Sequence, residues 1–296
     1  MGTNMYANYG LGVVKIDDPV SNCVERLERI FVSPNVQLPT LPKAALEVLR
    51  LSHNPQVNAT EILSVLETDA TLAARLLARA RSPVYGIRPV ASLREASVRM
   101  GINGLRDLVL QISMRMTVFR APGFEPQVNE LMRFAQVRSN LCHAINDHSR
   151  IPQTQASMCA LLADLGMATA LMLLAQVPRG QTSPPLATAW EAARESQERI
   201  GAQVAKSWGL PGEIVWVIRN QHHLHIANVA NPTIGTLLVA SVVAEHLNIG
   251  LRGPDGVQFR EQKSEVNGAR RLLGLNTDKM KRIVARARLM ELDAIN

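Results

Sequence analysis

Apolar residues recur along this chain at steps of three and four, the spacing of one helix face, and almost nowhere in strict alternation. Val24, Leu27 and Phe31 set the first stripe and predict a helix from Val20 to about Phe31. Leu38-Pro-Thr-Leu-Pro42 follows, with Pro42 suited to the first turn of a helix carrying Leu46 and Leu49. Asn58 with Glu61, and Ser92 with Glu95, have the capping-box spacing that opens helices, and Asp69 can cap a third. Gly101-Ile-Asn-Gly104 reads as a tight turn, with Asn103 the expected cap of a helix bearing Leu105, Leu108, Val109 and Ile112. Ala121-Pro-Gly-Phe-Glu-Pro126 is the clearest boundary between two lobes.

Beyond it a long helix is expected from about Gln127 to His148, its stripe set by Leu131, Phe134, Leu141 and Ile145. Arg138 falls on that same apolar stripe. Short helices around Met158–Ala163 and Met167–Leu174 come next, then one lined by Ile200, Val204 and Trp208 with Gln197 on their face. Pro211 opens a helix running through Ile214 and Ile218 to Gln221-His-His223, and two more are expected near Thr233–Leu247 and Asn276–Leu292. No stretch reads as a convincing strand. The predicted fold is therefore all-α: a tail over 1–19, a helical lobe over 20–121, a second helical lobe over 122–230 and a helical extension over 231–296.

Composition narrows the function. Aromatics are only 4% of 296 residues, and three cysteines (Cys23, Cys142 and Cys159) form no CxxC pair. Disulfide scaffolds and zinc ribbons are excluded, and the cysteines are expected to be buried small residues in a reducing cytoplasm. The first thirty residues show no apolar core of a signal peptide, and no uninterrupted apolar run reaches the length of a bilayer span. A soluble, cytoplasmic protein with no membrane contact is expected.

The formal charge of +7 is concentrated. Between Ala70 and Arg120 lie nine arginines, opposed only by Glu95 and Asp107. Arg75, Arg79, Arg81, Arg88, Arg94 and Arg99 are the candidate partner-binding patch. Unpaired arginines suit an acidic protein surface, a nucleotide phosphate or nucleic acid. The lack of interleaved aromatics, or of any known nucleic-acid motif, favours the acidic protein.

The motifs, in order, resemble one family. Leu38-Pro-Thr-Leu-Pro42, Glu67-Thr-Asp-Ala-Thr-Leu-Ala-Ala-Arg-Leu-Leu77, Ser82-Pro-Val-Tyr-Gly86, Ser92 with Glu95-Ala96, and Gly101 with Leu105-Arg106 are similar to the HDOD family of HD-related output domains. Leu161-Leu-Ala-Asp-Leu-Gly166 and Trp208-Gly-Leu-Pro-Gly-Glu-Ile214 through His222-His223 continue the likeness, which covers roughly Val36 to His223. The resemblance implies a bacterial signalling output or adaptor protein that works through protein–protein binding.

It also implies a metal site that has been lost. Active HD enzymes place a histidine where this chain has Arg138, a His-Asp pair where it has Ala163-Asp164, and a further histidine where it has Gln197. Only His222-His223 keep the expected residue type. A divalent ion needs about three to six converging N or O donors, and a cation at Arg138 would repel it. No catalytic residue, cofactor or metal is therefore expected. A residual phosphohydrolase acting on nucleotides or cyclic dinucleotides is the alternative, as is a nucleotide- or nucleic-acid-binding regulator. Asp164 can act either as a helix cap or as the partner of Arg138. The second role predicts a direct bond of about 2.7–3.2 Å in the old metal pocket, with Gln197 or His222 close by. His222 and His223, at a helix C-terminus, can equally be ordinary dipole-complementing residues.

Overall fold

The computed structural model describes residues 18–33, 36–54, 56–81, 90–177, 182–256 and 261–295, the side chains only as far as residue 288. The 1–17 part of the expected tail, the Ser82-Pro-Val-Tyr-Gly86 motif and Arg88 lie outside the described residues. The fold is all-α, with one two-residue hairpin as its only sheet among the described residues.

The helices form where the periodicity and the caps place them. α1 (Pro19–Val32) starts on Asp18, whose carboxylate accepts from the Val20 and Ser21 amides. α2 (Lys43–Ser52) follows Pro42. α3 (Ala59–Glu67) opens with the full Asn58–Glu61 capping box, and α4 (Ala70–Ala80) with Asp69 accepting from the Leu72 amide. α5 (Leu93–Thr117) begins on Ser92, as its spacing with Glu95 requires.

The turn expected at Gly101–Gly104 is narrower than its sequence suggests. Gly101 alone leaves the helical range, at φ +68° and ψ 177°, so α5 kinks there and continues. Such angles are open almost only to glycine. The side chain of Asn103 accepts from Arg106 at 3.3 Å, so its expected capping role is corrected to that of a partner for a buried arginine.

The second lobe is built on α6 (Glu125–Asn146), α7 (Ala156–Leu162), α8 (Leu165–Ala175), α9 (Leu186–Ser207) and α10 (Gly212–Arg219). Residues 156–175 are apolar enough by length and composition to cross a membrane, but 94% of that window is buried inside the fold. It is the core of the second lobe, with α1, α5, α6, α9 and α10 packed against it. α8 lies so close to α9 that a Cβ on Gly166 would stand 1.8 Å from the Gln197 carbonyl oxygen. Only glycine at 166 allows the two backbones that approach. α1, expected with the first lobe, packs instead on α9 and α8.

After α10 the chain makes the short antiparallel hairpin β1 (His225–Ile226) and β2 (Val229–Ala230), turning through Ala227 and Asn228 at positive φ. No strand is expected there from sequence, since two residues leave no alternation to read. α11 (Pro232–His246), α12 (Lys263–Leu273) and α13 (Thr277–Ile295) form the extension. It is docked rather than loose: α11 packs on α6 and α7, and α13 on α6. Arg150 caps the end of α12, its side chain donating to the Leu272 and Arg271 carbonyls at 2.9 and 3.1 Å. Trp208 ties the lobes together, its indole N–H donating to the Pro39 carbonyl at 2.8 Å.

Candidate functional site

α7 and α8 are separated by a single break at Ala163-Asp164, and that break sets the site. Asp164 occupies the N-cap position of α8, but its side chain makes no capping bond. It turns instead toward α6, where Arg138 Nη2 donates to Asp164 Oδ2 at 2.8 Å. The same Nη2 donates to the Ala160 carbonyl at 3.1 Å. Both side chains are buried, 4% and 6% exposed, and the guanidinium carbon lies 4.8 Å from the centre of the Phe134 ring on the turn before. Of the two roles open to Asp164 in the sequence, the structure shows the ion pair. Burial outweighs the charges of Arg138 and His222 and leaves the Asp164 carboxyl above its ordinary value.

The pair lines a cavity of about 320 Å³ enclosed by α6, α8, α9, α11 and the segment leading to α12. Gln197 and His222 line it too, so the residues carried over from the metal pocket converge in space. His223 does not: it is exposed, one position round from the cavity. Ala163 contributes its backbone, its carbonyl accepting from the side-chain amide of Gln221 at 2.9 Å.

His222 faces Glu261, 3.3 Å from its Nδ1. Burial opposes charging the imidazole, but the Glu261 bond and the negative charges of Glu261 and Glu198 outweigh it and raise the pKa. Glu261, Trp190 and Gln221 are site residues that sequence reasoning missed. Glu261 lies in the extension and Trp190 early in α9, both outside the motifs. Gln221 stands in plain view beside the histidines, and only its burial marks it.

These residues do not fit a divalent ion. Among the described residues no group of three or more His, Cys, Asp or Glu side chains converges as metal ligands. Asp164, the one carboxylate of the old motif, is engaged by a fixed cation that cannot release its proton. Cys142 and Cys159 are no better placed as ligands. Burial pushes the Cys159 thiol up to about 12 and Cys142 higher still, and neither offers a thiolate at neutral pH.

A second buried polar cluster joins the lobes. Arg106 on α5 donates through Nε and Nη2 to one oxygen of its neighbour Asp107, at 2.9 and 2.7 Å. Nη2 also reaches Ser157 Oγ at 3.4 Å, and His143 Nε2 lies 3.4 Å from the other Asp107 oxygen. Burial raises the Asp107 carboxyl, but Arg106, His143 and Ser157 together hold it below its ordinary value. Arg106 is thus an internal structural cation and not part of the basic surface.

Of the expected six arginines, Arg88 lies outside the described residues, and the other five are not all alike in their surroundings. Arg99 pairs with Glu95 at 3.3 Å, and Arg81 Nε donates to the Val90 carbonyl at 3.1 Å. Arg94 is exposed on α5. Arg75 and Arg79 on α4 instead share a cleft with Arg115 on α5, a residue outside the expected six.

The HDOD domain family matches this chain over residues 38–224. A curated protein of uncharacterised function from Treponema pallidum (strain Nichols) is 25% identical over 221 residues, and the match spans 71% of this chain and 43% of that protein. Among solved structures, an HDOD domain protein of unknown function from Geobacter sulfurreducens superposes with a TM-score of 0.67 at 22% identity, covering 93% of this chain and 97% of that one. A protein from Shewanella amazonensis SB2B named as a candidate metal-dependent phosphohydrolase gives 0.66 at 16% identity, covering 92% and 99%. A candidate signal transduction protein from Marinobacter aquaeolei VT8 gives 0.62 at 19% identity, covering 93% and 67%. At these identities the likeness concerns the fold.

Proposed function

Because the chain belongs to the HDOD family, we propose that it is a cytoplasmic signal-transduction output or adaptor protein that binds a partner and performs no metal-dependent hydrolysis. The observation that carries this reading is the 2.8 Å bond between Arg138 and Asp164. Phosphoester hydrolysis on an HD scaffold takes its nucleophile from a metal-activated water, and the metal would supply that chemistry. Here the guanidinium takes the carboxylate that a metal would need, and its positive charge opposes a second cation at the same place. The imidazole of His222 is likewise engaged by Glu261. What remains is a helical scaffold with an ion-paired polar centre. Its excess of surface arginine suits a partner with an acidic face.

Turnover tests this directly. Purified protein supplied with Mn²⁺ or Mg²⁺ should hydrolyse nucleotides, aryl phosphoesters and cyclic dinucleotides no faster than a blank. Turnover that is present in the wild type and lost in a folded Asp164→Asn variant would refute the proposal.

A further inference from the structure

The cleft where α4, α5 and α6 meet carries an unusual concentration of charge. Arg75 and Arg79 stand one turn apart on α4, where like charges at this spacing repel. Arg115 reaches the same cleft from α5. None of the three makes an ion pair or hydrogen bond among the described residues. Where a carboxylate would be expected between them, the wall holds two neutral amides, with Gln136 donating to Gln111 at 3.4 Å. Leu108 and Ile112 complete the lining. The contrast within the same helix is informative. Arg106, two turns earlier on α5, is buried against its own carboxylate, whereas the arginines of the cleft are left without one.

We propose that this cleft is an oxyanion-binding site that docks an acidic segment of a partner protein, one carboxylate or phosphoryl group entering between Arg75, Arg79 and Arg115. The inference rests on the adaptor reading and gives it a contact point. Guanidinium groups bind carboxylate and phosphoryl oxygens through paired, planar hydrogen bonds, which favours arginine over lysine at such a place. Size and lining select the class of ligand. The cleft holds about 190 Å³, below the roughly 300–1,000 Å³ of sites that enclose a whole drug-sized molecule. It therefore suits an end group carried on a larger partner. No aromatic side chain lines it, so a nucleobase finds no stacking platform. The amides of Gln111 and Gln136 offer N–H donors to the same group.

The test measures binding of fluorescent peptides to the full chain by anisotropy: an oligo-glutamate peptide, the same peptide with a central phosphoserine, and a neutral glutamine analogue. Inorganic phosphate serves as competitor and a labelled single-stranded DNA as a separate probe. Arg79→Gln and Arg115→Gln are compared with Arg133→Gln, an exposed arginine of α6 outside the cleft. The proposal expects saturable binding of an acidic peptide, weakened at least about tenfold by either cleft variant and unchanged by the control. A higher affinity for the phosphoserine form assigns the oxyanion as phosphoryl, and equal affinity assigns it as carboxylate. Binding of inorganic phosphate, read by calorimetry, with no acidic peptide bound would overturn the docking role. So would equal loss in the control variant, no saturable binding at all, or cleft variants that lose DNA and not peptide. Peptide bound at another arginine surface would overturn the site while leaving the adaptor reading intact, and metal-dependent turnover would do the reverse.

Discussion

Arg138 puts a fixed positive charge on the apolar stripe of α6, inside the second lobe. A guanidinium on the buried face of α6 keeps its proton at every physiological pH, so the surrounding fold must supply a carboxylate. The nearest comes from Asp164, and the two now neutralise one another inside the second lobe. Breaking such a pair from one side leaves a buried charge, so Asp164→Ala should lower unfolding stability by about 3–5 kcal/mol. The paired replacement Arg138→Met with Asp164→Leu should cost far less, since neither charge then remains. Denaturant unfolding of the two singles and the double measures the coupling, and additive losses would deny that the residues act as a unit. His222 has a pH signature. Its folded pKa lies above the unfolded value of about 6.5, so its pairing with Glu261 stabilises the fold fully below that pH. The contribution disappears as pH rises through the higher folded value. As pH rises above about 6.5 the thermal midpoint should therefore fall by more in the wild type than in His222→Gln, and parallel curves would show that this pair carries no such linkage. The Arg138–Asp164 contact was legible in sequence because an arginine on an apolar stripe demands an internal acid. The partner of His222 was not, because Glu261 lies 39 positions away in a segment with no motif.

Among the elements, caps and breakers carried the most readable information. The boundaries at Asp69, Ser92 and Pro211 follow from single residues whose side chains or fixed φ start a helix. α12 was less visible, since its charged surface dilutes the stripe of Val266, Ala269 and Leu273. The placement of α1 on the second lobe could not be read from its own residues, because an amphipathic helix advertises an apolar face and not the surface it will cover. The contact of α8 with α9 depends on Gly166. An added Cβ would meet backbone atoms at 1.8, 2.6 and 2.7 Å, and no side-chain rotation relieves that. Gly166→Ala should thus force the two helices apart at a cost of at least about 2–3 kcal/mol. At Gly201, across the same contact, the nearest atoms lie at 3.1 Å or beyond, and Gly201→Ala should cost clearly less. Comparing denaturation midpoints of the two variants checks the order, and the reverse order would mean that the helices are not held this closely in solution.

Across the whole molecule, an all-α HDOD fold carries buried charges that neutralise one another at its centre. Two buried clusters do the holding: Arg138 with Asp164 inside the second lobe, and Arg106 with Asp107, Ser157 and His143 between the lobes. The C-terminal extension adds to the first by delivering Glu261 to His222. On the outer surface, Arg75, Arg79 and Arg115 make no ion pair or hydrogen bond among the described residues, which leaves their cleft as the proposed contact point. The measurement that bears most directly on this is calorimetric titration of the purified, chelator-treated protein with Mn²⁺. No stoichiometric binding heat is expected, and the same flat trace for Asp164→Asn. One-site binding near unit stoichiometry in the wild type, abolished in Asp164→Asn, would show that Asp164 holds a metal in solution and would contradict the account at its centre.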